Sequence, residues 1–273
     1  MIQDIYPSKM RIEYTPATPR DDDPVLVFDK DGKVFAGECN GQIMFPTAAS
    51  AQGHHLRYLF SIDDRRYYLV EDDECKMHIP GYDHHTIRQI RDMADGSEVF
   101  AAFTAYHLSR WYTGNRYCGS CGGAMSHEAK ERALRCEKCG KIIYPRINPA
   151  VIVGVINGDS ILITRYKRGY SHNALIAGFV EIGETLEQTV AREVMEEAGI
   201  RVKNIRYYKS QPWGMAEDLL VGFYCEADGD TDITMDDNEL RYAAWTKRED
   251  IELQPGNHSL TNEMMRMFKE DRV

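Results

Sequence analysis

The chain has 273 residues and a formal net charge of −10. An acidic balance of that size argues against broad non-specific binding to nucleic acid, and no apolar run approaches the roughly 20 residues of a membrane span. The composition is that of a globular protein of one large or two modest domains; the opening MIQDIYPSKMRIEY has no apolar leader segment, so a cytoplasmic protein is expected.

Residues 24–80 read as short strands. PVLVFD, KVFAGE, HHLRYLFSI and RRYYLVE are rich in β-branched and aromatic residues, and Asp31-Gly32 is a hairpin signal. From Asp83 the pattern predicts helix: HHTIRQIRDMA, then SEVFAAFTAYHLSRWY with Ser97 as N-cap and Ala101, Ala105, Leu108 and Trp111 as its apolar stripe. His84 and His85 read as exposed helix-start residues rather than metal ligands.

A ribbon follows. Cys118-x2-Cys121 and Cys136-x2-Cys139 are separated by fourteen residues, the pattern of a structural Zn²⁺ site. A disulfide pair or a redox Cys-x-x-Cys are the alternatives; a reducing compartment disfavours the first and the doubled motif the second. Cys39, Cys75 and Cys225 are expected to be buried small hydrophobes. PAVIVGVI (149–156) then reads as a buried strand, Asn157-Gly158-Asp159 as a turn and SILITR (160–165) as the returning strand. Arg165, Lys167 and Arg168 form a small basic cluster, read as a solvated loop. Strands are also expected at NIRYYKSQPW (204–213), LLVGFYCEA (219–227) and YAAWT (242–246). A last helix should span 259–270, with Leu260, Met264, Met267 and Phe268 inward.

Residues 178–200, GFVEIGETLEQTVAREVMEEAGI, carry the most chemistry. Thr185 and Gln188 have capping-box spacing and Gly199 is a natural stop, so a helix is expected between them. Leu186, Val190, Val194 and Ala198 recur every four residues and define a buried side. Glu193, Glu196 and Glu197 share one face, with Arg192 four residues before Glu196. Such a cluster is either a solvated acidic face or a nest for a hard divalent cation with oxygen ligands.

The stretch resembles the Nudix box, Gly-x5-Glu-x7-Arg-Glu-U-x-Glu-Glu-x-Gly-U with U apolar, at every specified position: Gly178, Glu184, Arg192, Glu193, Val194, Glu196, Glu197, Gly199 and Ile200. Ribbon and box together resemble the NADH pyrophosphatase (NAD diphosphatase) branch of that family. The resemblance rests on Tyr144-Pro145-Arg146-x-x-Pro149 after the ribbon, Ala177-Gly178-Phe179-Val180 opening the box, Ser210-Gln211-Pro212-Trp213 eleven residues after Gly199, and Glu239-Leu240 before Ala244-Trp245. One departure stands out. The family continues SQPW with Pro-Phe-Pro, whereas this chain has Gly214-Met215-Ala216-Glu217-Asp218, in the segment that shapes the family's dinucleotide pocket.

The resemblance implies a mixed α/β chain: an N-terminal αβ domain (1–112), a zinc ribbon (113–145) and a Nudix α/β/α sandwich (146–273). It implies hydrolysis of NAD(H) to nicotinamide mononucleotide and AMP, with NAD-capped RNA as a further substrate and ADP-ribose as an alternative. A non-enzymatic nucleic-acid-binding regulator would be expected to show an eroded box. By the same resemblance Glu193, Glu196, Glu197, Glu239 and the Ala177 carbonyl hold Mg²⁺ or Mn²⁺, Glu197 also activates water, and Glu184 and Arg192 orient the cluster. Phe179 and Tyr144 stack on a ring, Gln211 and Trp213 line the pocket, and Thr261 and Arg88 contact substrate; Phe179 and Trp213 read alternatively as core aromatics. Family members are homodimers, with Tyr144 acting across the interface.

Overall fold

The computed structural model describes residues 1–72, 77–94, 96–169 and 172–273. Its internal contacts divide the chain into two units. One comprises Ile2–Arg146 with Trp213–Glu217; the other comprises Met1, Ile147–Pro212 and Asp218–Val273.

The first unit opens with β1 (Met10–Arg11), β2 (Val25–Leu26), β3 (Val34–Cys39), β4 (Gln42–Met44), β5 (Leu56–Ile62), β6 (Arg65–Val70) and β7 (Tyr82–His85). They form a four-stranded sheet in the order β1-β5-β6-β2 and a three-stranded one in the order β4-β3-β7. The turn before β3 is set locally, because one Asp29 carboxylate oxygen accepts the amides of Asp31 and Lys33. Helices α1 (Ile87–Met93) and α2 (Ser97–Gly114) follow, and Leu26, Phe60, Tyr67, Ile90 and Phe103 form the buried centre.

Three sequence expectations change here. His84 and His85 lie in β7, paired with Phe35 and Val34. The helix starts after them because Thr86 and Gln89 form a reciprocal capping box. Gly96, not Ser97, is the N-cap of α2, at φ 105. Cys39, at the end of β3, is exposed, whereas Cys225 is buried; Cys75 lies outside the described residues. The ribbon contributes β8 (Met125–His127), β9 (Leu134–Cys136) and β10 (Ile142–Ile143), an antiparallel sheet whose Leu134 joins the same core.

The second unit contains β11 (Asn148–Asn157), β12 (Ser160–Tyr166), β13 (Ile176–Phe179), α3 (Leu186–Ala198), β14 (Val202–Trp213, its last residue counted with the first unit), β15 (Asp218–Ala227), β16 (Leu240–Lys247) and α4 (Leu260–Lys269). The sheet runs β14-β15-β11-β12-β16, with β13 paired to β11. β11 is parallel to β15 and forks: Ala150–Val153 pair with β13, while Ile156 and Asn157 pair with β12. Alternate residues face opposite helices. Val151, Val153 and Val155 pack with Val190, Val194 and Ala198 of α3; Ile152 packs with Leu260, Met264 and Phe268 of α4. The result is an α/β/α sandwich. In α4 the buried methionines are Met264 and Met265, with Met267 only partly covered, because the apolar stripe turns by one position.

Candidate active site

Local rules fix α3. The Thr185 hydroxyl accepts the Gln188 amide, the Gln188 side chain accepts the Thr185 amide, and Gly199 ends the helix in the left-handed region at φ 71. Burying each valine of its inner face stabilises by about 1.5–3 kcal/mol, which holds the flanking glutamates together despite their charge.

Arg192 organises the outer side. Its Nε and Nη2 donate to the two carboxylate oxygens of Glu184 at 2.7 and 2.9 Å. Nη1 donates to Glu193 at 2.8 Å and Glu196 at 2.9 Å, and Nη2 also reaches the Phe179 carbonyl at 3.0 Å. This guanidinium, then the Glu181 amide and the Thr189 hydroxyl, holds the Glu184 carboxyl down to about 2. The inner side differs. Glu197 is 2% exposed; burial, then the charges of Glu193 and Glu239, pushes its carboxyl up to about 8. Burial also raises Glu193, against the pull of Arg192.

β13 comes very close to this cluster. A Cβ on Gly178 would fall 2.0 Å from the Glu193 carboxyl, so only glycine lets the strand pass. Tyr166, at the end of β12, accepts the Ala177 amide at 3.1 Å and lies 3.3 Å from both oxygens of Glu197. Nothing in the sequence singles out Tyr166, which sits beside Lys167 and Arg168 just past SILITR. Of that cluster, Arg165 donates to Asn173 at 2.8 Å and covers the Tyr242 ring. Lys167 reaches Glu239 through the backbone, its amide donating to the Glu239 carbonyl at 2.9 Å.

These donors suit a hard divalent cation: carboxylates raised by burial and mutual repulsion, and a glycine cradle that leaves space beside them. They are looser than the cysteine set, which among the described residues is the group whose ligand atoms all lie within 4.8 Å of one another. In that set the Cys121 and Cys136 sulfurs are 3.4 Å apart and those of Cys118 and Cys139 3.8 Å. The amides of Ser120 and then Cys121 hold the Cys118 thiol down to about 6, and the Gly122 and Gly140 amides close the two knuckles on Cys118 and Cys136. Four thiols with this geometry fit a tetrahedral Zn²⁺.

The substrate candidates divide between the units. Phe179, 53% exposed on β13, and half-buried Thr261 in the first turn of α4 belong to the second. Tyr144, 57% exposed with its hydroxyl on Glu131, and exposed Arg88 belong to the first. Trp213 also belongs there and packs on Phe103 with ring centres 5.3 Å apart. Gln211 is a correction. Its side chain is 0% exposed; it donates to the His258 carbonyl at 2.7 Å and accepts the Leu260 amide at 2.8 Å, so it fastens the start of α4 instead of lining a pocket.

Residues 146–268 match the model of the NUDIX domain, and residues 115–144 match that of the NADH pyrophosphatase zinc ribbon domain. Over 177 residues the chain is 42% identical to the NAD-capped RNA hydrolase NudC of Escherichia coli, in strain HS and in strain K12 / DH10B alike, covering 64% of this chain and 67% of the relative. Among solved structures, a NUDIX hydrolase from Nitrosomonas europaea superposes with a TM-score of 0.51 at 23% identity, over 57% of this chain and 92% of that one. That likeness supports the fold.

Proposed function

Because this chain belongs to the Nudix hydrolases, in the branch that carries the NADH pyrophosphatase zinc ribbon, we propose that it hydrolyses the pyrophosphate bond of NAD(H) to nicotinamide mononucleotide and AMP. NAD-capped RNA, on which its relative NudC acts, is a substrate of the same chemistry. The observation that carries the reading is the intact box with its carboxylates gathered: Glu197 buried, Glu193 against Gly178, and Arg192 donating to Glu193 and Glu196.

Both phosphates of the substrate are anionic, and so is this nest. Glu193, Glu196, Glu197, Glu239 and the Ala177 carbonyl would hold Mg²⁺ or Mn²⁺ between them. A bound divalent ion supplies charge neutralisation at the diphosphate and makes the attacking water more acidic. The protein's own part is positioning, which dominates phosphoryl transfer. Glu197 is placed to accept the water's proton, Glu184 and Arg192 hold the helix face in register, and Phe179 offers a ring for stacking on a base or nicotinamide. Tyr144, Trp213, Thr261 and Arg88 are the further substrate contacts, in a cytoplasmic homodimer whose ribbon carries structural zinc.

One observation favours a second substrate, ADP-ribose. In place of Pro-Phe-Pro, Gly214 lies where a Cβ would come 2.1 Å from the Phe103 carbonyl, and Glu217 pairs with Arg110 and Arg146 at 2.9 and 3.0 Å. A proline at 214 would not fit, and the loop is committed to these contacts. AMP release from NADH, NAD⁺, ADP-ribose and NAD-capped RNA with Mg²⁺ or Mn²⁺ separates the readings. Dominant turnover of ADP-ribose would replace the first with the second, and no turnover of any of them would remove both.

A further inference from the structure

Glu197 and the Ala177 carbonyl belong to different elements, α3 and β13, so something must fix the distance between them. Tyr166 touches both residues. It ends β12 at an irregularity in the pairing with β16, where Arg165 faces Tyr242 but Tyr166 faces Leu240. A bulge of this kind re-aims the side chain that follows it, and here it sends the ring inward. The next amide, that of Lys167, bonds the Glu239 carbonyl at 2.9 Å, so the same turn of chain anchors a third candidate ligand.

The hydroxyl's roles follow from its neighbours. The Ala177 amide occupies an oxygen lone pair at 3.1 Å, so the phenolic proton must point elsewhere. The acceptors around it are the Leu175 carbonyl at 3.4 Å, the Ala177 carbonyl at 3.5 Å and the Glu197 carboxylate at 3.3 Å. Glu197 is the closest of these and the only one a bound cation can leave ionised, and bonds to ionised acceptors are the stronger.

We infer that Tyr166 is a positioning residue: its hydroxyl ties the Ala177 peptide to the Glu197 carboxylate and so sets the spacing of two oxygen donors for the divalent ion. This rests on the reading of Glu197 as a metal ligand. Outer partners of this kind typically change metal affinity by ~10–100-fold.

The test is Mn²⁺ binding to the full chain, read by the electron paramagnetic resonance of free Mn²⁺ without substrate, for the parent, Tyr166→Phe and Glu197→Gln, with Tm recorded for each. Phenylalanine keeps the ring and its packing, so the variant is expected to fold. Tyr166→Phe should bind Mn²⁺ at least ~10-fold more weakly, and kcat should recover at high Mn²⁺. Parental affinity in Tyr166→Phe, with or without a lower Tm, would overturn the inference and leave the hydroxyl a structural partner of the Ala177 amide. Unchanged affinity in Glu197→Gln would instead remove the metal reading beneath it.

Discussion

At residue 178 a single methyl group decides whether the cluster exists. Alanine there would place its Cβ 2.0 Å from the Glu193 carboxyl, so either the strand or the glutamate must move. Gly178→Ala should therefore cut turnover by at least ~10²-fold, the scale on which an ångström of misplacement costs rate. Far-UV circular dichroism should stay unchanged. A variant with parental kcat would show that Glu193 does not need this position. Glu197→Gln keeps the shape but removes the charge and the proton acceptor, and turnover should fall by ~10²–10⁴-fold. Arg192, Glu193 and Glu196 were legible from spacing alone, because helix geometry fixes which side chains meet four residues apart. Tyr166 was not, since its partners lie eleven and thirty-one positions away and no local pattern reports contacts of that range.

At the scale of elements the same division holds. The ends of α3 were legible because Thr185, Gln188 and Gly199 act on their own neighbourhood. β7 was not, because Tyr82–His85 become a strand only by pairing with β3. Gln211 shows the consequence for function. Its amide spans from β14 to the start of α4, forty-seven positions to His258 and forty-nine to Leu260. Gln211→Leu would leave a carbonyl and a helix-start amide without their partner, and should lower stability by about 2–4 kcal/mol, read as a lower urea midpoint at unchanged m-value. KM for the dinucleotide should move little if the side chain only fastens α4; a large rise in KM at unchanged stability would return Gln211 to the pocket. The ribbon depends on its ion in the same way. Three strands of two or three residues each form little core of their own, so Cys118→Ser should lose bound zinc and near-ultraviolet dichroism. Mn²⁺ binding at the glutamates should persist in that variant, and its loss would contradict a purely structural ribbon.

For the whole molecule, two buried carboxyls work against stability as pH rises. Glu197 is pushed up to about 8, by burial first and then by Glu193 and Glu239. Asp218, 6% exposed at the start of β15 with one carboxylate oxygen that has no hydrogen-bond partner among the described residues, is pushed up to about 7 by burial. Both carboxyls are protonated in the folded chain at a pH where the unfolded chain has already released them, so the folded state binds more protons across that window. The stability they contribute is complete below the unfolded carboxylate values and is lost as pH rises through about 7 and then about 8. Because the Cys118 thiol, held down to about 6, acts in the opposite sense over the same range, the contribution of these carboxyls is read as the difference in urea midpoint between the parent and a variant lacking one of them, at pH 5.5 and at pH 8.5. Asp218→Asn keeps the shape without the charge, and its advantage over the parent should grow with pH, to an order of 4 kcal/mol at most, since each pKa unit is worth about 1.36 kcal/mol. The two sites separate when Mg²⁺ is added. A cation among the glutamates favours ionised Glu197, so at pH 7 binding should release close to one proton, measured by calorimetry in buffers of different ionisation enthalpy. Asp218→Asn should leave that release intact, whereas Glu197→Gln should abolish it. Proton release that persists in Glu197→Gln would place the ion elsewhere on the chain.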